Sequence, residues 1–158
     1  MHTHLFRHLV LSTFPIIFLS VLLSTTARAQ DTGLSDEQLI RNLIDQMNTR
    51  GPMPLSDSLI RVFPDLPYPF VGHKRTPAEN QLLDEVRKER SNEKMTRSPL
   101  RIVISDSKDL AYIYGSYTVD FDNLQKTHIH REGSFIVICR KVNGRWIIDV
   151  SFNRYNNT

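Results

Sequence analysis

The stretch "GSFIVICRKVNGRWIIDV", from Gly133 to Val150, decides the fold of this chain. Two runs rich in β-branched and aromatic residues flank Asn143-Gly144. Asn-Gly between such runs is the strongest short-range hairpin signal, because a type I′ turn needs positive φ at both central positions. Trp146 enters the second run, where a lone tryptophan is far more often a core residue than a functional one. The stretch therefore predicts two long antiparallel strands.

Strand-like composition continues upstream of this hairpin. "LRIVIS" begins at Leu100 and "DLAYIYGSYTVDFD" begins at Asp109, with the turn-forming "DSKD" between them. Gly115, in the middle of the longer run, indicates a bulge or a sharp bend. Side chains alternate faces along a strand, so a bulge would reverse the alternation and leave open which tyrosines face inward. The four runs together predict an antiparallel meander.

Two capped helices precede the strands. Ser35 with Gln38, and Thr76 with Glu79, each fit a capping box, and Pro77 occupies the first position of the second helix. The first helix is expected to end at Gly51 and carries one apolar stripe at helical spacing, formed by Leu39, Ile40, Leu43, Ile44 and Met47.

Residues 52–94 are predicted to be mainly loop and helix. A short helix is expected over Ser56–Phe63. The second capped helix is expected to continue to Lys94, with Leu82, Leu83 and Val86 facing inward. Its outer face, "DEVRKERSNEK", mixes charges and is predicted to be solvated. Helices followed by strands predict an α+β fold, in which the helices cover one face of a curved sheet. We expect four or more antiparallel strands, a cone shape and an internal pocket.

The first 29 residues have the pattern of a secretory signal peptide. Arg7 precedes an apolar run over residues 9–23, and Ala27-Arg28-Ala29 provides a cleavage site. The run is shorter than the roughly 20 residues that span a bilayer. We therefore predict cleavage after Ala29, one domain over residues 30–158, and a secreted or periplasmic protein without a stable membrane anchor.

The charge of this predicted mature chain is close to neutral. The 158 residues contain 20 Lys and Arg against 17 Asp and Glu. Without Arg7 and Arg28, 18 basic residues remain and the net charge is +1. This balance argues against nucleic acid or an anionic membrane as a partner. Cys139 is the only cysteine, so an internal disulfide is impossible, and it is predicted to be a small buried apolar residue.

Two groups of residues resemble the nuclear transport factor 2-like superfamily, and within it the SnoaL-like and ketosteroid-isomerase-like domains of unknown function. The first is the strand motif Asp109, Leu110, Ala111, Tyr112, Gly115 and Tyr117; the second is Gly133, Phe135, Arg140, Gly144 and Trp146. The resemblance implies a cone with a pocket for a small hydrophobic or aromatic molecule. It also implies a homodimer formed through the sheet face.

Asp149 is the best candidate for a catalytic residue. In a hollow lined by tyrosines and aliphatic residues, desolvation would raise the pKa of this carboxyl and make it a general acid or base, as in relatives of the ketosteroid isomerase type. The alternative is a rim acid paired with Arg140 or Arg145. The other candidate pocket residues are Tyr112, Tyr114, Tyr117, Ser151 and Asn153.

His128 and His130 would lie on one face of a strand, a spacing that can bind a divalent metal. A third ligand would have to come from Glu132 or the distant His73, so a polar strand edge is favoured and no metal is predicted. The sequence contains no phosphate-binding glycine loop, serine nucleophile elbow or Cys-x-x-Cys motif, and no cofactor is predicted.

Three functions remain open from the sequence. The first is a secreted or periplasmic small-molecule-binding domain. The second is a small isomerase, hydratase or cyclase that uses Asp149 with a tyrosine as oxyanion donor. The third is a homodimeric interaction module. An enzyme of the second kind needs a pocket acid within hydrogen-bond reach of a tyrosine or of another acid.

Overall fold

The structure is a computed structural model that describes residues 33–156. The predicted signal peptide and its cleavage site lie outside the described residues. In chain order the elements are α1 (Asp36–Thr49), β1 (Leu55–Val62), β2 (Phe70–Val71), α2 (Pro77–Lys88), β3 (Ser91–Ile104), β4 (Leu110–Asp122), β5 (His128–Val142) and β6 (Arg145–Tyr155). Within residues 33–156, no helix is long and apolar enough to cross a membrane.

The strands of this region form one six-stranded sheet in the order β2-β1-β6-β5-β4-β3. Strand β1 runs parallel to β6, and all other neighbours are antiparallel. The predicted meander is therefore the β3–β6 part of the sheet, and β1 and β2 extend it beyond β6. The α+β class with helices against a mostly antiparallel sheet is confirmed.

The core lies between α1 and the inner face of the sheet. Both predicted capping boxes form, and Ile40, Leu43 and Ile44 of α1 are buried.

Strand β4 alternates without a break, so its tyrosines divide between the two faces: Tyr117 is buried, whereas Tyr112 and Tyr114 are exposed. Cys139 is fully buried, and burial raises the pKa of its thiol to about 12, which fits the predicted apolar role.

The β5–β6 hairpin turns at the predicted site. Asn143 and Gly144 have φ values of 49° and 77°, as a type I′ turn requires. Trp146 is 4% exposed, and its indole Nε1 donates a hydrogen bond to Asp36 Oδ1 at 2.8 Å. Lys141 Nζ donates to the same oxygen at 2.5 Å. The tryptophan therefore anchors the hairpin to the first turn of α1.

Residues 55–62 form a strand, so the short helix predicted over Ser56–Phe63 is wrong. Strand β1 pairs with the edge of β6, with Ile60 opposite Val150 and Arg61 opposite Ser151. An unpaired β6 edge would leave a row of backbone groups without partners, and pairing with β1 satisfies them. This tertiary requirement outweighs the local serine cap signal that favours a helix.

The second helix is shorter than predicted, because α2 ends at Lys88 and β3 begins at Ser91. From Ser91 onward burial alternates with a period of two, so Glu93, Met95 and Arg97 face inward. The charged residues of this segment have the composition of a solvated helix face. Only their alternation identifies a strand.

Two irregularities in the sheet decide which side chains face inward. The register shift near Gly115 lies in the partner strand, between Pro99 and Arg101 of β3, while β4 itself stays regular. A Cβ at Gly115 would lie 2.2 Å from the carbonyl oxygen of Ser98, so the glycine permits close approach of β3. The predicted bulge is therefore on the opposite strand, and the face reversal expected at Gly115 does not occur.

The reversal occurs instead in β6. Ile148 pairs with Cys139 and Val150 pairs with Ile138, so Asp149 is an extra residue in its strand. Trp146 and Ile148 face the core before this bulge, and Ser151 and Asn153 face inward after it. Strict alternation from Trp146 would place Val150 and Phe152 on the same face as Ile148, and the bulge moves these two residues to the opposite face.

Candidate functional site

A cavity of about 380 Å³ lies beside the inner face of the sheet. Its walls come from the end of α1, from β1 and the segment after it, from α2, and from β3 and β6. The volume is within the range of small-molecule sites, which is roughly 300–1,000 Å³. The apolar part of the wall consists of Met47, Met53, Leu55, Leu59, Phe63, Pro64, Leu66, Leu83, Val86, Met95 and Ile148.

The Asp149 bulge gives the cavity its polar groups on β6. Ser151 and Tyr155 line the cavity, and the intervening inward residue Asn153 is 2% exposed. With uninterrupted alternation after Trp146 and Ile148, these polar side chains would point outward and Val150 and Phe152 would point in. One extra residue therefore converts the end of an apolar core strand into a polar cavity wall.

The cavity is rich in positive charge. Six arginines line it against two acids, Asp65 and Glu93. The arginines come from three elements and three connecting segments: Arg50, Arg61, Arg75, Arg87, Arg90 and Arg97. The nearly neutral composition of the chain thus conceals a strongly uneven distribution, because the acids lie mostly elsewhere.

Both cavity acids are already paired. Asp65 accepts from Arg90 at 2.9 Å, from Tyr155 Oη at 2.8 Å and from Arg131 at 3.4 Å. Glu93 pairs with Arg50 at 3.1 Å and with Arg90 at 3.5 Å. The acids therefore neutralise Arg90 and Arg50 and leave no carboxylate for the arginines deeper in the cavity.

Arg97 is a guanidinium without an acidic partner among the described residues. Its Nε is buried and has no hydrogen-bond partner in that region. Its backbone is held at both groups by the side-chain amide of Asn48, at 2.8 and 3.0 Å, which fixes the strand position. Burial lowers the pKa of Arg97 to about 10, because the charged form loses hydration without compensation.

Arg61 has a similar environment on the opposite side of the cavity. Its Nε is buried without a partner in residues 33–156, and its terminal nitrogen donates to the carbonyl of Gly72 at 3.2 Å. Burial, and then the nearby charge of Arg75, lower its pKa, while the charge of Glu79 partly opposes them. Arg61 and Arg97 lie on β1 and β3, which are separated in the sheet by β6, β5 and β4.

Two further polar atoms near the cavity have no partner in the described part of the chain. These are the hydroxyl of Tyr117 and Oδ1 of Asn153. Burial raises the pKa of Tyr117, with a smaller opposing effect of the Arg97 charge. Its ring passes over Gly133, where an added Cβ would lie 2.4 Å from the ring carbons. Gly133, which the sequence marked only as a fold residue, therefore makes the space for this tyrosine.

The structure separates the residues predicted to form the site. Ser151 lines the cavity, and Tyr117 and Asn153 are buried on the inner face. Tyr112 and Tyr114 lie on the outer face, because β4 alternates without interruption. Asp149 sits at the bulge with Oδ2 at 2.7 Å from Arg140 Nε, and it does not line the cavity. This arrangement matches the alternative of a rim acid paired with Arg140.

An acid and a tyrosine do meet in the cavity, but they are Asp65 and Tyr155. The Tyr155 hydroxyl donates a hydrogen bond to Asp65, and burial, followed by this hydrogen bond, raises the pKa of the phenol. Both oxygens of Asp65 are occupied by Arg90, Arg131 and Tyr155. A general base needs a free oxygen within reach of the substrate proton, so this pair is suited to structure rather than to proton transfer.

The two histidines of "HIH" are engaged by acids across the strand pair. His130 Nδ1 lies 2.7 Å from Asp120, and His128 Nδ1 lies 3.3 Å from Asp122. His73 is paired with Asp57 at 3.0 Å, away from both. In residues 33–156, no three His, Cys, Asp or Glu side chains are grouped so that they could hold a metal ion.

Sequence reasoning missed the arginines. Arg90 and Glu93 were assigned to a solvated helix face, and Arg61 and Arg97 were not singled out. The available signal was the alternation Glu93, Met95, Arg97, which places charged residues at the spacing of one strand face. No motif marks the cavity, because its residues are spread over the whole chain from Met47 to Tyr155.

Solved structures with a similar fold include proteins from three bacteria. An NTF2-like protein with a cystatin-like fold from Novosphingobium aromaticivorans superposes with a TM-score of 0.58 at 14% identity, over 77% of this chain and 82% of that chain. A conserved protein from Planctomyces limnophilus gives 0.56 at 17% identity, over 77% and 96%. The NTF2-like superfamily protein from Salmonella enterica serovar Typhimurium gives 0.52 at 16%, over 77% and 88%.

The chain has the nuclear transport factor 2-like fold. The predicted resemblance is thereby confirmed at the level of the fold, which is what structural similarity at such low identity shows. No protein-family model matches the chain, and no curated protein matches its sequence.

Proposed function

We propose that this nuclear transport factor 2-like domain is an exported small-molecule-binding domain of the SnoaL-like type. The observation that carries the proposal is the cavity of about 380 Å³, whose wall combines apolar side chains with polar and charged groups. Apolar walls give affinity for a small hydrophobic or aromatic molecule, and isolated polar groups orient it. Binding is favoured over catalysis because Asp149 lies outside the cavity and the oxygens of Asp65 are occupied.

A cavity-filling variant tests binding. Leu83 lines the cavity from α2, whereas its neighbour Leu82 is half-buried without lining it. We expect Leu83→Trp to abolish the thermal stabilisation that a small-molecule panel gives to the wild-type domain, and Leu82→Trp to retain it. Stabilisation that survives Leu83→Trp would place binding elsewhere and overturn the proposal.

Export is tested separately. When the 158-residue chain is expressed, we expect the protein recovered outside the cytoplasm to begin at Gln30, since Ala27-Arg28-Ala29 is the predicted cleavage site. Intact-mass analysis of the fractionated protein distinguishes this outcome. A chain that keeps residues 1–29 and stays in the cytoplasm would contradict export without affecting the binding proposal.

A second candidate function, self-association, is favoured by the outer face of the sheet. Two rows of apolar residues cross it side by side. One row runs Tyr112, Ile138, Val150, Ile60 and the other runs Tyr114, Ile136, Phe152, Val62, each in register across β4, β5, β6 and β1. Tyr112, Tyr114, Ile136 and Phe152 are 38–45% exposed. An apolar patch of this kind is typical of an interface.

Charge placed in these outer rows tests self-association. We expect the wild-type domain to sediment as a dimer and Ile136→Lys to sediment as a monomer. Leu124→Lys is the matched control, because Leu124 is 67% exposed and lies in the loop after β4. A wild-type monomer at high concentration would rule out this second function.

A further inference from the structure

The positive charge of the cavity narrows the chemistry of its ligand. Desolvated guanidiniums stabilise a protein only when an anion pairs with them, and burial without a partner costs free energy. In the described region the cavity supplies carboxylates only to Arg50 and Arg90, which are bound by Glu93 and Asp65. Arg61 and Arg97 each present a buried Nε–H that no protein atom there accepts.

The backbone of Arg97 is fixed so that its side chain points into the cavity, as expected of a binding residue. Its backbone on β3 accepts one hydrogen bond from the side-chain amide of Asn48 and donates another to it, while its side chain enters the cavity. Arg101, four residues further along the same strand, lies beyond the β3 bulge and is exposed opposite Tyr114. The strand therefore directs one arginine into the cavity and the other into solvent.

A further hydrogen-bond donor lies near Arg97. The Tyr117 hydroxyl, which lies close enough to Arg97 for their charges to interact, is buried without a partner in residues 33–156. Phenol and guanidinium groups both donate to an anionic oxygen, and the planar guanidinium fork matches a carboxylate or a phosphate. The adjacent wall is apolar, including Met47, Met53 and Met95, whose flexible thioethers adapt to varied shapes.

We propose that the cavity binds an organic anion, with Arg97 as the primary anchor of its carboxylate or phosphate, Arg61 as a second cationic contact, and the apolar wall around its carbon skeleton. The proposal rests on small-molecule binding in this cavity and adds the class of the ligand. An anionic oxygen accepts the orphaned N–H donors, which a neutral apolar molecule leaves unpaired. Discrimination against the neutral analogue follows, because buried donors without an acceptor are costly.

A matched panel on one carbon skeleton tests the charge requirement. The probes are 4-phenylbutyrate, 4-phenylbutyl phosphate, 4-phenylbutyramide and 4-phenylbutylamine, titrated by calorimetry into the chain that starts at Gln30. We expect at least one anion to bind tenfold or more tightly than the amide and the amine. The ratio of the two anion affinities then distinguishes a carboxylate from a phosphate head group.

Two arginine variants and one control variant assign the site. Arg97→Met should remove the tenfold preference for the anion, Arg61→Met should reduce it less, and Arg101→Met should leave it unchanged. Equal affinity for the amide and the anions, or a preference that Arg97→Met keeps, would overturn the anion proposal while binding in the cavity stands. If no probe binds and Leu83→Trp changes no ligand response, the binding function itself is wrong.

Discussion

The two ends of the inner face of the sheet differ in whether their polar groups have hydrogen-bond partners. At the hairpin end, defined by Asp36, Lys141 and Trp146, one carboxylate oxygen accepts from both the ammonium and the indole. At the cavity end, defined by Arg61, Arg97, Tyr117 and Asn153, four buried polar atoms have no partner in the described part of the chain. The difference indicates that the first end is built for stability and the second for a molecule that supplies the missing partner.

Removal of the central side chain at the hairpin end should have the largest effect. We expect Trp146→Ala to lower the free energy of unfolding by about 3–5 kcal/mol, because a large buried ring is lost and a cavity remains. Urea unfolding measures the loss. Tyr68→Ala is the control on an aromatic residue that is 46% exposed, and its loss should be under about 1 kcal/mol. Similar losses for both variants would contradict the anchoring role of Trp146.

The acid at the hairpin end should contribute the next largest amount. Asp36→Ala leaves the buried indole N–H without its acceptor, and we expect a loss of about 1–3 kcal/mol. The hydrogen bond from Lys141, then that from Trp146, lower the pKa of Asp36 below its usual 3.8. Because the folded state favours the carboxylate, its stabilisation is fully present above about pH 4 and is lost as the pH falls through the lowered pKa.

The isosteric variant Asp36→Asn isolates that charge. Its deficit relative to the wild type should stay constant between about pH 7 and pH 5 and shrink as the pH falls below 3.8, the usual value for this carboxyl. Thermal unfolding across this range measures the difference. A deficit that grows toward low pH would show that the carboxylate does not stabilise the folded state.

At the cavity end, a substitution should increase the free energy of unfolding rather than lower it. We expect Arg97→Met to raise the free energy of unfolding of the ligand-free protein by about 1 kcal/mol, since the methionine keeps the apolar contacts and removes an uncompensated buried charge. Arg101→Met, on the exposed part of the same strand, should change it by less than about 0.5 kcal/mol. A lower stability of Arg97→Met would mean that the guanidinium supports the fold.

The hairpin end was largely predictable and the cavity end was not, for a physical reason. The Asn143-Gly144 turn and the Ser35 cap act through neighbours in sequence, so local rules identify them, and the residue type of Trp146 alone marks it as core. Strand β1 forms only because β6 offers it an unpaired edge, which no local pattern in residues 55–62 reveals. The start of β3 was hidden for a related reason, since its charged residues match a solvated helix until their alternation is counted.

The same distinction explains the predicted site residues. Tyr112 and Tyr114 were candidates beside Tyr117 because a bulge at Gly115 left open which tyrosines face inward, but the structure places the extra residue in β3, next to the pair of that glycine, and keeps β4 regular. The reversal that builds the cavity occurs at Asp149, in a run of sequence that contains no glycine or proline. Bulges without such a marker depend on the register of the whole sheet, so single-sequence reasoning does not locate them.

Substitution of Asp149 should have the smallest effect on stability and on ligand affinity. Its carboxylate pairs with Arg140 at 2.7 Å, where the two side chains are 23% and 45% exposed. Exposed pairs contribute about 0–1 kcal/mol, so Asp149→Asn should cost little stability. It should also leave ligand affinity within about twofold of the wild type, because the residue shapes the strand through its backbone insertion and the amide keeps that insertion. Calorimetric titration of the same anion panel measures the affinity. A tenfold loss of affinity would show that the Asp149 side chain takes part in ligand binding, in addition to the effect of the bulge on the strand.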